Sequence, residues 1–166
     1  MGSKEKVSLF TYHDAARLFW MACYTLILYF FMFFLTISLH EMFHMITGNL
    51  LGYDGSIRYS FGSNLMGFYH YQSLGNELHD TLILLSGGLG TSLMFLIFFL
   101  LVRKYDNPSF KFVIVGVILW QFLYCLLESN VVLCYLDSLM KSSVSFCVGA
   151  VVSFLINLKG FVKVYI

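Results

Sequence analysis

His40-Glu41-Met42-Phe43-His44 is the stretch of this chain whose residue types and spacing describe a reaction. It fits the pattern H-E-x-x-H. On an α-helix, residues four apart lie about 40° apart around the axis, so both imidazoles point one way and Glu41 lies within about 100° of each. Two imidazoles can hold one zinc, and the carboxylate beside them can take a proton from the water that the metal activates. Catalytic zinc keeps three protein ligands and one open position, so a third ligand is needed. Glu128 and Asp137 are the acidic candidates on or near a later apolar segment. Nine residues apart, they would stand about 180° from each other on a continuous helix and could not both face one ion. His70, His79 and Asp80 are further candidates.

The elements that position these side chains follow from composition. The chain has 166 residues and a formal net charge of +1, with 59% hydrophobic, 19% aromatic and only 11% charged residues. A soluble domain is about 45–50% apolar and about 25% charged, and one of this length has too much surface to hide so many apolar side chains. The composition therefore excludes a soluble globular domain and a disordered chain. A pI near 7.7 without a basic patch leaves no electrostatic footprint for a nucleic-acid partner. The expectation is an all-α polytopic integral membrane protein whose surroundings are the lipid bilayer.

A spanning helix needs about 20 apolar residues. Four stretches meet or nearly meet this, at about 18–47, 82–102, 110–136 and 144–158, within one domain covering 1–166. The sole proline, in Asp106-Asn107-Pro108-Ser109, marks the turn between the second and third. Between the first and second, residues 48–80 are rich in glycine and aromatics, partly alternating, and predict a β-hairpin-like insertion turning at Gly62-Ser63-Asn64. A connection of that length without a task is uncommon. Lys4, Lys6 and Arg17, then Arg103, Lys104 and Lys111, then Lys159 and Lys163 fall on one side, against Arg58 and Lys141 on the other. By the positive-inside tendency both termini are cytoplasmic.

Other residues have plainer expectations. His79-Asp80 would cap the second helix, with Asp80 at the positive end of its dipole. His70, between Tyr69 and Tyr71, fits an interfacial aromatic belt. Cys23, Cys125, Cys134 and Cys147 show no C-x-x-C spacing and are expected as small apolar residues rather than a disulfide framework or thiolate site. Phe30-Phe31-Met32-Phe33-Phe34 is expected to face lipid, and Gly87, Gly88 and Gly90 to let helices approach closely.

The run from Ile37-Ser38-Leu39-His40-Glu41 through His44 to Leu51-Gly52 resembles the first core helix of the site-2 protease family of intramembrane zinc metalloproteases. Leu85-Ser86-Gly87-Gly88-Leu89-Gly90-Thr91 stands where that family has Ala-Gly-Pro-Leu-x-Asn. Asn130-Val131-Val132-Leu133-Cys134-Tyr135-Leu136-Asp137 is similar to its third-helix motif, Asn-Leu-Leu-Pro followed by Leu-Asp-Gly. The resemblance covers about residues 20–140 in the family's order. It implies a zinc-dependent endopeptidase that cleaves a transmembrane protein substrate. His40, His44 and Asp137 would be the metal ligands, Glu41 the catalytic base, and Asn130 and Gly88 substrate contacts.

The chain departs from the family at Thr91 in place of Asn, Leu133 in place of Pro, and Ser138 in place of Gly. The Asn130–Asp137 run is one residue short. The charge distribution also turns the site towards the outer face, whereas the family opens it to the cytoplasm. These departures set a second expectation beside the first: a non-catalytic subunit of a larger membrane complex, with fixed partners.

Overall fold

The computed structural model describes residues 12–61, 65–105, 107–129 and 138–165. In chain order the elements are α1 (Tyr12–Leu50), β1 (Gly55–Phe61), β2 (Leu65–Tyr71), α2 (Glu77–Val102), α3 (Pro108–Glu128) and α4 (Ser138–Tyr165). All four helices contain a stretch long and apolar enough to cross a membrane, with mean hydropathies of 2.0, 2.1, 2.1 and 1.4. The architecture is that of a multi-pass membrane protein, four helices with a small hairpin between the first two.

Local chemistry ends the helices at other places than apolar counting predicts. α1 closes with a Schellman turn. Tyr53 N–H donates to Gly48 O (2.9 Å), Gly52 N–H donates to Asn49 O (3.1 Å), and Gly52 takes the left-handed φ of 85° that the motif requires. α2 begins at Glu77 because Asn76 caps it, its side-chain oxygen accepting from His79 N–H at 3.2 Å. His79 and Asp80 lie inside the first turn and are not the cap. Asn107 caps α3 in the same way, accepting from Phe110 N–H at 3.0 Å, with Pro108 at the first helical position. α3 was expected to run to about 136 but stops at Glu128. Ser129 turns its hydroxyl back onto Leu126 O (3.2 Å), a local bond that competes with further helix.

The hairpin is antiparallel, with Gly55 opposite Tyr71 and Phe61 opposite Leu65. The expected turn residues 62–64 lie between the strands and outside the described residues. The strands pack on the end of α1, where Tyr69 occupies the space that a Cβ would need at Gly48 and Gly55. Two hydrogen bonds, one from the hairpin and one from the segment after it, reach α2. Tyr71 OH donates to Asp80 Oδ1 (3.0 Å), and Ser73 Oγ donates to Asp80 Oδ2 (2.6 Å).

Phe95 of α2 and Val113, Ile114 and Val117 of α3 form a buried apolar cluster, onto which Leu28, Tyr29 and Met32 of α1 pack. Small residues bring the helices together. A Cβ at Gly88 would sit 2.5 Å from Gln121 O of α3, and one at Gly90 would press on Phe43 of α1. One at Gly149 of α4 would meet Trp120 N at 2.8 Å. This is the close approach that membrane helices gain from glycine. Phe30 and Phe31 are exposed, as expected of lipid-facing residues. Phe33 instead turns inwards and stacks on Trp120, with centroids 5.7 Å apart and planes at 3°.

Candidate metal centre

His40, Glu41 and His44 lie near the end of α1, and all three are buried, at 4%, 7% and 4% exposure. His44 is six residues before the end of α1 and Ile83 is six residues into α2, each about 9 Å from its helix end. Glu128 is the last residue of α3. The site thus lies shallowly, at the end of the bundle that carries the hairpin.

The helical spacing places the imidazoles side by side, with ring centroids 4.5 Å apart. Their Nε2 atoms face each other at 2.9 Å. α3 brings a carboxylate to the same point. Glu128 Oε2 is 3.0 Å from His40 Nε2, and Glu128 Oε1 is 3.6 Å from His44 Nε2. The far side of each ring meets an oxygen: Gln121 Oε1 at 2.8 Å from His40 Nδ1, and Ile83 O at 2.5 Å from His44 Nδ1. These oxygens only accept, so both Nδ1 atoms carry the proton and donate it. In the neutral form of each ring this leaves the Nε2 lone pair available as a ligand, beside a carboxylate.

Two imidazole nitrogens and a carboxylate oxygen are the donor set of a zinc site. The three residues form a group able to hold a metal. With Zn–N distances of about 2.0–2.1 Å, a tetrahedral ion needs its ligand atoms about 3.3 Å apart, so an opening of a few tenths of an ångström accommodates one. Gly87 keeps the adjacent space clear, since a Cβ there would run into His44 Cε1 and Nε2 and stand 2.7 Å from His40 Nε2. The residues present fit the ion.

The centre opens into a cavity of about 220 Å³. Phe33, Ile37, Phe68, Tyr69, Trp120 and Tyr124 supply most of its apolar wall, and Glu41, Gln121 and Glu128 its polar one. Glu41 and Tyr69 line the same cavity, which places the Glu41 carboxylate beside β2. The Tyr124 ring leans on His40, with centroids 5.3 Å apart.

Of the residues singled out from sequence, His40, Glu41, His44 and Glu128 come together. Asp137 and Asn130, implied by the resemblance, lie outside the described residues. The 180° separation expected of Glu128 and Asp137 presumed one continuous helix, which α3 is not. Gly88 was assigned to substrate but is buried in the packing of α2 on α3, and it is Gly87 that faces the imidazoles. His70 is exposed on β2, His79 Nδ1 meets Tyr53 OH at 3.2 Å, and Asp80 is engaged by Tyr71 and Ser73. None of these three belongs to the centre. Gln121 and Tyr124 were missed. With Glu128 they follow the spacing i, i+3, i+7 along an apolar helix, and that polar stripe was the signal available. No protein-family model, curated protein or solved structure matches the chain.

Proposed function

We propose that the chain is an intramembrane zinc endopeptidase, a divergent relative of the site-2 protease family, in which His40, His44 and Glu128 hold the metal. The supporting observation is the convergence of two Nε2 atoms and one carboxylate, with both Nδ1 atoms already committed to oxygen acceptors. Bound there, zinc supplies Lewis-acid polarisation and lowers the pKa of water. Glu41 is the base that takes the proton at its carboxylate and later delivers it to the departing amine nitrogen. The aromatic wall keeps bulk water from the reacting carbonyl. The substrate is a transmembrane protein segment unwound at its cleavage point. Extended backbone of this kind pairs readily with an exposed strand edge, and β2 residues line the same cavity as Glu41. The distribution of Lys and Arg puts both termini in the cytoplasm and the centre towards the opposite face, which reporter fusions at either terminus and within residues 62–64 check.

The test uses the full chain purified in detergent. One zinc per chain is expected. Glu128→Ala removes one ligand. Sharing the roughly 10–16 kcal/mol of a four-ligand site equally makes that about 3 kcal/mol, or on the order of 100-fold in affinity. Glu41→Gln retains the zinc and lowers cleavage of a single-span substrate by about 10²–10⁴-fold. Undiminished cleavage by Glu41→Gln overturns the assignment of the base.

A second reading has its own support. Glu128 contacts both histidines directly, at 3.0 and 3.6 Å, so the cluster also closes as a hydrogen-bonded ionic group. That suits a non-catalytic subunit of a membrane complex. Purification without metal at neutral pH, together with a stoichiometric partner, favours this reading over the first.

A further inference from the structure

We propose that Gln121 is a positioning residue of the metal centre: by accepting the His40 Nδ1 proton it locks His40 in the tautomer whose Nε2 faces the ion. This rests on the zinc reading above and adds to it a residue outside the H-E-x-x-H pattern.

The geometry is specific. Gln121 Oε1 stands 2.8 Å from His40 Nδ1, both side chains are buried, and they come from helices 81 positions apart in the chain. A neutral imidazole carries its proton on one nitrogen only, and the hydrogen bond made by one nitrogen decides what the other can do. Without the Gln121 acceptor, His40 loses the partner that favours Nδ1–H. The Nε2–H tautomer then competes, donating to Glu128 Oε2 at 3.0 Å, and in that state Nε2 has no lone pair for a metal. Gln121 and Glu128 thus act on opposite nitrogens of one ring, and Gln121 makes Glu128 a co-ligand rather than a proton acceptor. The two histidines are oriented by different means. The acceptor for His44 is a backbone carbonyl, Ile83 O, which also accepts from Ser86 Oγ at 2.6 Å and which no side-chain substitution removes. The centre's orientation is therefore open to a side-chain substitution at Gln121 alone of the two. Gln121 is itself held in place because the α3 backbone at this residue lies against Gly88.

Outer partners of metal-bound histidine contribute about 10–100-fold in affinity. The experiment compares the full chain with Gln121→Met, which keeps the volume and removes the acceptor, and with Gln121→Glu, which restores an acceptor. Zinc affinity is read by chelator competition, and the ligand field by the absorption spectrum of the cobalt-substituted protein. Nitrogen-15 chemical shifts of labelled His40 in metal-free protein report the tautomer. Gln121→Met is expected to bind zinc about 10–100-fold more weakly with an altered cobalt spectrum, and Gln121→Glu to recover wild-type affinity. In wild-type protein His40 is expected as Nδ1–H. Equal zinc affinity and an unchanged cobalt spectrum in Gln121→Met overturn the positioning role while the metal site stands. Failure of the wild-type chain to bind any metal overturns the zinc reading instead. Nε2–H at His40 in the wild type refutes the proposal without any variant, even where Gln121→Met does not fold.

Discussion

α3 has buried residues in both of its halves, but the two halves pack against different things. In the N-terminal half, Val113, Ile114 and Val117 pack on Phe95 and on the apolar face of α1. In the C-terminal half the inward residues are Trp120, Gln121, Tyr124 and Glu128, and they face His40, His44 and a cavity. The first half needs only shape. Lipid tails are as apolar as its side chains, so packing rather than escape from water holds it together. The second half places an ionisable group where an unpaired one is costly, and Glu128 there meets both histidines. Substitutions in the two halves should accordingly separate metal affinity from stability.

The largest effect is expected at the polar end from the smallest addition of atoms. Gly87→Ala places a methyl against His44 and 2.7 Å from His40 Nε2. Neither ring can swing away without breaking the bond from Nδ1 to Gln121 or to Ile83. Zinc affinity should fall by at least the worth of one ligand, about 100-fold, with helix content and detergent stability close to wild type. Equilibrium dialysis against zinc, beside circular dichroism, checks both. Zinc binding at wild-type strength would mean that the centre is not where these three side chains meet.

Ile114→Ala is the reciprocal experiment. Ile114 is fully buried between the helices. In a bilayer the transfer part of the usual cost is small, and the cavity part remains, about 2 kcal/mol for the volume removed. Stability in a denaturant titration should drop by that amount, with zinc affinity unchanged. A loss of zinc affinity in Ile114→Ala would show that the two halves of α3 are coupled.

The same contrast explains what the sequence made legible. His40, Glu41 and His44 lie within one helical turn, so their spacing alone carries their geometry. Glu128 comes from a helix 88 positions away, and a single carboxylate carries no spacing, so the choice fell to the family resemblance, which pointed to Asp137 instead. Read as a stripe with Gln121 and Tyr124, Glu128 would have stood out. The hairpin and the four apolar helices were readable because alternation and hydropathy average over many residues. Helix ends were not, because single groups set them: Asn76, Asn107, Gly52 and the Ser129 hydroxyl.

The smallest effect is expected at the clamp that holds the hairpin over the centre. Tyr71 OH donates to Asp80 Oδ1 at 3.0 Å. Burial, and then the Asp80 carboxylate, push the Tyr71 phenol up to about 12 from an ordinary value near 10. The folded chain therefore holds this proton more tightly than the unfolded one. Its contribution is complete below pH 10 and is lost as the pH rises from there through about 12. Tyr71→Phe should cost about 0.5–1.5 kcal/mol near neutral pH, the net worth of one hydrogen bond, and leave zinc affinity unchanged because the phenol touches no ligand. The stability difference between wild type and Tyr71→Phe should then shrink towards zero between pH 10 and 12, followed by denaturant titration at each pH. A difference that is constant across that range would mean the bond to Asp80 is absent in solution. A fall in zinc affinity would mean that the hairpin, and not only the three helices, sets the geometry of the centre.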